Sequence, residues 1–128
     1  MKKLVASFVL LLATSTSAWA SAAITCQSNG GATVHLQAFI SSELLVTNVE
    51  IIANGTHWST HNVDAEQIVI MQSFSDGESI KIDLSDPNIE NTIAKIRLFG
   101  ADEGANVALA GTLQIPEVGV YALICEGP

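Results

Sequence analysis

The residues of this chain with the clearest capacity for chemistry are its carboxylates, which gather in short clusters. Asp76 and Glu78 flank a glycine, and Asp102 and Glu103 are adjacent. Calcium takes about six to eight oxygen ligands, so two such loops would have to converge to bind it, and the chain has no EF-hand loop. These four residues define a calcium-binding hypothesis. The alternative is that Asp-Gly simply builds turns.

Two histidines four residues apart, His57 and His61, form a second group, followed closely by Asp64 and Glu66. On a helix this spacing would place both imidazoles on one face, where they could hold zinc or copper. The segment lacks helical periodicity, and on a strand the two rings would lie roughly 13 Å apart, too far for one ion. A metal site would therefore need a loop that brings the rings together, with His35 as a third ligand. Exposed loop histidines are the alternative interpretation.

Support for catalysis is weak. Ser59, His61 and Asp64 supply the residue types of a hydrolase triad, but side chains so close in sequence rarely form one, and a Gly-x-Ser-x-Gly motif is absent. A glycosidase uses two carboxylates at a set distance in space, and a sequence alone does not give that distance. We therefore expect a protein that is not an enzyme and needs no cofactor, with calcium as the alternative and a small secreted hydrolase as a further one.

Two aromatic residues are candidates for ligand contact. Phe39 falls on the outward-facing positions of its predicted strand, and Trp58 lies in a polar stretch. An aromatic platform for a sugar would usually contain more rings, and a single tryptophan is more often packed against the core. Both residues are retained as candidate binding residues.

The two cysteines, Cys26 and Cys125, lie near opposite ends of the chain. Two cysteines in an exported protein favour a disulfide, and no Cys-x-x-Cys motif suggests redox chemistry. Closing a loop of about 100 residues contributes up to ~4.7 kcal/mol to stability in the chain-entropy treatment. We expect this bond to tie the first strand to the last.

The start of the chain has the pattern of a signal peptide. Lys2 and Lys3 precede an apolar run at residues 4–13, and Ala18-Trp19-Ala20 provides small residues for cleavage after Ala20. The apolar run is shorter than the ~20 residues that a membrane-spanning helix needs, and no later segment qualifies. The predicted location is the bacterial periplasm or the exterior, with residues 1–20 removed and no membrane span.

The remaining chain, residues 21–128, is long enough for one domain with its own core and not for two. Without Lys2 and Lys3, it has three basic residues against 13 acidic ones, a net charge of −10. Such a surface repels nucleic acid and anionic membranes. Three explanations of the negative charge remain: it keeps the protein soluble, it attracts a cationic partner, or it binds a divalent ion.

Alternating apolar and polar residues predict strands along most of this chain. The clearest case sets Ile80, Ile82 and Leu84 against Lys81 and Asp83. The predicted strands are residues 23–26, 33–40, 44–53, 67–73, 79–84, 92–99, 107–115 and 119–125. About eight strands separated by frequent turns predict an all-β fold, an antiparallel β-sandwich of immunoglobulin-like or C2-like architecture.

Three segments carry finer expectations. The last strand, residues 119–125, is apolar on both faces, which predicts a position inside a sheet or between two layers. Gly111 inside a strand predicts a bulge or a close backbone contact. Residues 57–64 are polar and predict a loop or an irregular edge strand.

Together these features predict an exported, non-enzymatic binding module. Loops at one end of the sandwich, especially residues 54–66 and 100–106, would contact a protein partner of cationic character, because rigid sheets commonly carry function on loops. A calcium-dependent, C2-like module is the first alternative. The sequence leaves open the partner's identity, the strand order and the oligomeric state.

Overall fold

The computed structural model describes residues 20–40 and 43–127, and these contain ten β-strands and no helix. Eight of the ten correspond to the predicted segments, so the all-β prediction is confirmed. The strands are β1 (Ala20–Gln27), β2 (Thr33–Ile40), β3 (Leu44–Ala53), β4 (Thr56–Ser59), β5 (Glu66–Gln67), β6 (Val69–Ser75), β7 (Ser79–Ser85), β8 (Thr92–Glu103), β9 (Asn106–Ile115) and β10 (Gly119–Glu126).

Of the two additional strands, β4 overlaps the polar stretch 57–64 that is predicted to be a loop or an irregular edge strand, and β5 follows that stretch. β4 pairs with only the last four residues of β3, and β5 adds two residues in parallel to β4. Strands this short and polar carry no clear alternation, so the sequence does not reveal them.

All ten strands belong to one hydrogen-bonded sheet, in the order β5-β4-β3-β2-β1-β10-β9-β8-β7-β6. Every neighbouring pair is antiparallel except β4 and β5. The two edge strands, β5 and β6, are consecutive in the chain, and between them the Ile68 N–H donates to the Ser59 carbonyl oxygen at 3.1 Å. The sheet therefore curls until its two edges approach each other.

The core lies inside this curled sheet. Ile24 and Ile51 from one half and Ile82, Ile96 and Leu113 from the other are almost completely buried and belong to one cluster. Burying each such side chain contributes about 1.5–3 kcal/mol. One face of most of the longer strands thus turns inward, and the opposite face is left to the solvent; β6 contributes only half-buried side chains.

The predicted disulfide between Cys26 and Cys125 is confirmed. The two cysteines are directly opposite each other on β1 and β10, and both are buried. The ladder between these strands has only three residue pairs, Thr25–Gln27 against Ile124–Glu126. The bond therefore fastens the two chain ends where few backbone hydrogen bonds hold them.

The prediction that the last strand lies inside a sheet is confirmed. β10 does lie inside the sheet, between β1 and β9. Only its Leu123 and Cys125 side is buried, whereas Val120 and Ile124 are 68% and 73% exposed. An apolar outer face does not imply a covering layer here, because the one sheet curls around a single core and nothing among the described residues lies over its outside.

Gly111 makes the predicted close backbone contact. It lies on β9 opposite Leu98 of β8, and a Cβ at this position would overlap the carbonyl oxygen of Arg97. The register of β9 is regular on both sides of it. The glycine is therefore required by the approach of β8 and not by a bulge.

The predicted signal peptide, residues 1–20, lies outside the described residues except for Ala20, at which β1 begins. In the described ranges, no helix is long and apolar enough to cross a membrane.

Candidate functional site

A cleft of about 610 Å³ opens beside β4 and β5, where the curled sheet is least complete. It is bounded by the β3–β4 turn, by the loop that leads into β5, and by the turn between β7 and β8. Its lining consists of Gly55, Thr56, His57, Asp64, Ala65, Glu66, Gln67 and Pro87. Most of these residues belong to segment 54–66, which the sequence singles out as a binding loop.

The first wall of the cleft is a tight hairpin turn. Asn54 and Gly55 have φ angles of 49° and 75°, both in the left-handed region. Asn-Gly is the preferred pair for such a turn because both residues tolerate positive φ. The turn reverses β3 directly into β4 and thereby places Thr56 and His57 at the cleft.

The second wall is a loop folded onto Ser59. This serine is completely buried, and its Oγ accepts the N–H groups of His61 and Asn62 at 3.2 and 3.0 Å. The Nδ1 of His61 lies 3.4 Å from the same oxygen. Ser59 is therefore an anchor for the loop, without the exposed hydroxyl that a nucleophile needs.

Asn62 and Gln67 complete the loop. The Asn62 Oδ1 accepts the Asp64 N–H at 3.0 Å, and the Gln67 Nε2 donates to the carbonyl oxygens of Asn62 and Ala65. Asp64 and Glu66 are left exposed at the cleft. The loop thus presents two carboxylates from a backbone that its own side chains hold in place.

His57 lies at the edge of the cleft and is held by β3. Its Nε2 is 3.1 Å from Oε1 of Glu50, whose cross-strand neighbours are His35 on β2 and Ser59 on β4. His35 in turn has its Nδ1 3.3 Å from the Thr25 hydroxyl. The histidines thus have separate protein partners.

No described group of three or more His, Cys, Asp or Glu side chains is placed to hold a metal ion. His57 contacts Glu50 and His61 contacts Ser59, so each ring already has a partner of its own. The zinc or copper site that the spacing of His57 and His61 suggests remains a hypothesis.

The four residues of the calcium hypothesis lie at the opposite end of the sheet from the cleft. Asp76 and Glu78 belong to the β6–β7 turn, and Asp102 and Glu103 end β8. The Gly100 N–H donates to the Glu78 carbonyl oxygen at 2.7 Å, which joins the two segments. The topology therefore brings both acidic turns to one end.

Asp76 is already engaged by its own turn. Its Oδ1 accepts the N–H of Ser79 at 2.8 Å, the N–H of Glu78 at 3.0 Å and the Ser79 hydroxyl at 3.1 Å. These bonds, the one from the Ser79 backbone first, hold the pKa of Asp76 below its ordinary value of 3.8. This carboxylate stabilises the turn, as the Asp-Gly alternative predicts.

The two loops expected to act together are separated. Successive strands run in opposite directions, so the β3–β4 turn and the β8–β9 turn leave opposite ends of the sheet. Residues 54–66 therefore form the cleft without residues 100–106. The expectation that both loops share one end is wrong.

The two candidate aromatic residues lie on different faces. Phe39 is 44% exposed on the outside of β2, next to exposed Leu45 on β3. Trp58 is half-buried opposite Ile51 and packs against the core. They do not form one contact surface.

Sequence reasoning missed the third wall of the cleft, which is Pro87. Asp86 fixes this turn: its Oδ1 accepts the N–H of Glu90 at 3.0 Å, and its Oδ2 accepts the backbone and side-chain N–H groups of Asn91. These bonds, led by that from Glu90, lower the pKa of Asp86. Asp-Pro-Asn signals the turn, but only the curling of the sheet brings it to residues 55–57.

No family model, curated protein or solved structure significantly matches the chain. The chemistry of the cleft therefore rests on its own residues. Asp64 and Glu66 contribute negative charge, and the basic residues of the described chain, Lys81, Lys95 and Arg97, lie on β7 and β8 outside the lining. The cleft is suited to recognising a cation-bearing ligand.

Proposed function

We propose that this protein is an exported, non-enzymatic binding module that takes a lysine- or arginine-bearing segment of a protein partner into the cleft. The observation that carries the proposal is the cleft itself, lined by Asp64 and Glu66 and by no lysine or arginine. Each contact between an exposed carboxylate and a cation contributes about 0.2–1 kcal/mol, so several such contacts are needed for binding.

The charge of the whole chain supports the same partner. Acidic residues outnumber basic ones by 13 to 5 in the full sequence. A field of one sign draws oppositely charged ligands toward a surface and raises their rate of association. A cationic segment would therefore be attracted before it reaches the cleft.

The cleft is also prepared for binding before a ligand arrives. Ser59, Asn62 and Gln67 hold the loop that carries Asp64 and Glu66. A wall that is already ordered avoids much of the entropic cost of binding. In this proposal the curled sheet is a sandwich-like scaffold whose two halves enclose the core, and the cleft lies at one end of it.

The proposed location is the bacterial periplasm or the exterior. The Cys26–Cys125 bond is typical of proteins in oxidising compartments. The predicted signal peptide would direct the chain there.

A peptide array tests the proposed function. The purified, oxidised protein is applied to peptides that vary in lysine and arginine content, at about 0.05 and 0.5 M NaCl. We expect retention to increase with cationic residues, to fall at high salt, and to be lost in the Asp64→Asn/Glu66→Gln variant. Asp102→Asn/Glu103→Gln removes the same charge at the opposite end and serves as the matched control. Retention that is insensitive to salt, or equal in the two variants, would refute the proposal.

A calcium-dependent module is the second candidate, and one observation favours it. The β6–β7 and β8–β9 turns lie at the same end and are joined by the bond between Gly100 and Glu78. A thermal melt in chelator and then in millimolar calcium separates the candidates. A rise of several degrees would support calcium binding to the native state, and an unchanged melt would leave the cationic partner as the better account.

A further inference from the structure

The outer face of β8, β9 and β10 carries an uncovered band of apolar side chains. Phe99, Ala110 and Ile124 lie side by side across the three strands. Phe99 and Ile124 are 62% and 73% exposed, and the alanine between them leaves a shallow trough. We call these three residues the apolar row. Exposed apolar patches of this kind commonly mark protein contacts.

The charges around the apolar row are unevenly distributed between its two sides. Toward the cleft end, β8 carries Arg97 and then Lys95 at alternate positions, and toward the opposite end it carries Glu103. On β10, Glu126 lies two residues beyond Ile124 in that same direction. One carboxylate, Asp83 of β7, lies among the cations opposite Lys95. The face is therefore net basic on one side of the apolar row and acidic on the other.

The few basic residues of this acidic chain are grouped on the basic side. All three lysine and arginine residues of the described chain lie on it, since Lys81 of β7 is the cross-strand neighbour of Arg97. Arg97 is held in place, because its guanidinium lies 2.8 Å from Asp83 and donates to the carbonyl oxygens of Ile82 and Ile96. The three cations of the described chain, which has an excess of carboxylates, thus lie beside the apolar row.

We propose that this face binds a second copy of the chain, in a two-fold dimer whose axis runs along the apolar row. Rotation about that axis turns one face onto the other and reverses the strand direction. Phe99 then meets Phe99 of the second copy, and Lys95 of each copy comes opposite Glu103 of the other. A two-fold interface must be self-complementary, and this distribution of apolar, basic and acidic residues meets that condition.

The geometry and the charges favour a second copy over other occupants. Two β-sheets can pack face to face with their strands nearly aligned, and the side chains of the two facing surfaces then interdigitate. Stacking without the reversal would oppose cations with cations. An anionic membrane would meet the three cations but also the strongly negative charge of the whole chain, which repels it.

The mass of the purified, oxidised protein in 0.15 M NaCl, measured by sedimentation over micromolar to millimolar concentrations, tests the dimer. At this salt concentration charges more than about 8 Å apart are largely screened. We expect a reversible dimer whose dissociation constant rises at least about tenfold in Ile124→Glu and in Phe99→Glu. Val63→Glu, at a loop residue that is 87% exposed, adds the same charge away from the face and is the matched control.

A charge exchange tests the orientation. Lys95→Glu and Glu103→Lys should each weaken the dimer, and the double variant should restore it, because the exchange recreates the opposed pairs. Unchanged melting temperatures show that each variant is folded. The proposal is overturned if the protein is a monomer at every concentration, or if Ile124→Glu behaves like Val63→Glu. It is also overturned if the double variant does not recover dimerisation, or if the protein binds anionic lipid vesicles through its cations and does not dimerise. Because the cleft lies elsewhere, these results are independent of the proposed function.

Discussion

At the scale of single residues, the carboxylates of this protein have two different roles. Asp76 and Asp86 each accept several hydrogen bonds from their own turns. Asp64 and Glu66 face the solvent at the cleft. The first role fixes the backbone, and the second leaves charge available for a ligand. Asp-Gly and Asp-Pro in the sequence indicate the first role, whereas the second becomes visible only in three dimensions.

The turn carboxylates make stability depend on acid pH. The pKa of Asp86 is below its ordinary value of 3.8 in the folded protein because the ionised form accepts the Glu90 and Asn91 bonds. Its stabilising contribution is therefore present well above the ordinary value of 3.8 and is lost as the pH falls through the lowered folded-state pKa. We expect the free energy of unfolding, measured in urea from pH 7 to pH 2.5, to decline less steeply in acid for Asp86→Asn than for the wild type.

Asp64→Asn is the control for this experiment, because it removes a carboxylate that accepts no backbone hydrogen bond in the described residues. It should leave the acid decline close to that of the wild type. An Asp86→Asn profile parallel to the wild type throughout would contradict the role assigned to Asp86.

Gly111 is the residue at which an added methyl group should lower the free energy of unfolding the most. A Cβ there would overlap the carbonyl oxygen of Arg97, which belongs to a backbone that is fixed by pairing. We expect Gly111→Ala to lower the free energy of unfolding by about 3 kcal/mol, in the upper range for overpacking. Gly100→Ala is the matched control, since its Cβ would meet the Leu109 side chain at 3.4 Å and its nearest backbone atom, the Ala108 carbonyl oxygen, at 3.6 Å. Similar losses in both variants, read from denaturant midpoints, would count against the backbone contact.

At the scale of elements, the closure between β1 and β10 depends on a covalent bond. The ladder has three residue pairs, and Cys26 and Cys125 form the middle one. The enclosed loop spans a sequence separation of 99 residues. Removing the bond in Cys26→Ala/Cys125→Ala should lower the free energy of unfolding by about 2–5 kcal/mol.

Chemical denaturation with and without reductant measures this contribution. The wild type in reductant should unfold near the variant's midpoint, and the variant should not respond to reductant. A wild type that is equally stable with its disulfide reduced would show that the sheet closes without the bond.

Strand patterns predict most of this fold but not its curvature. Alternation locates the eight longer strands, and the two cysteines indicate which chain ends meet. Alternation does not reveal β4 and β5, which are too short, or whether the outer face of β10 is covered. The sequence of β10 is apolar on both faces, yet a single curled sheet leaves Val120 and Ile124 exposed. Whether a second layer exists is decided by the path of the whole sheet.

At the scale of the whole molecule, charge and shape divide the surface into three regions. The cleft at one end has acidic walls, the turns at the other end carry Asp76, Asp102 and Glu103, and the outer face of β7 and β8 holds the described cations. The sequence predicts an acidic protein with binding loops but not this division. Residues 54–66 and 100–106 look alike as polar loops, and only the strand order separates them.

The central claim, that the cleft binds cations, is tested most directly by mapping a small cationic probe on the protein. Backbone amide chemical shifts of the oxidised protein are followed while trilysine is added, with triglutamate as the charge-reversed control. We predict saturable shifts confined to the amides around residues 55–57 and 64–67, abolished by about 0.5 M NaCl and by Asp64→Asn/Glu66→Gln. Shifts that are absent, or that centre on residues 76–78 and 102–106, would contradict the assignment of the cleft as the binding site.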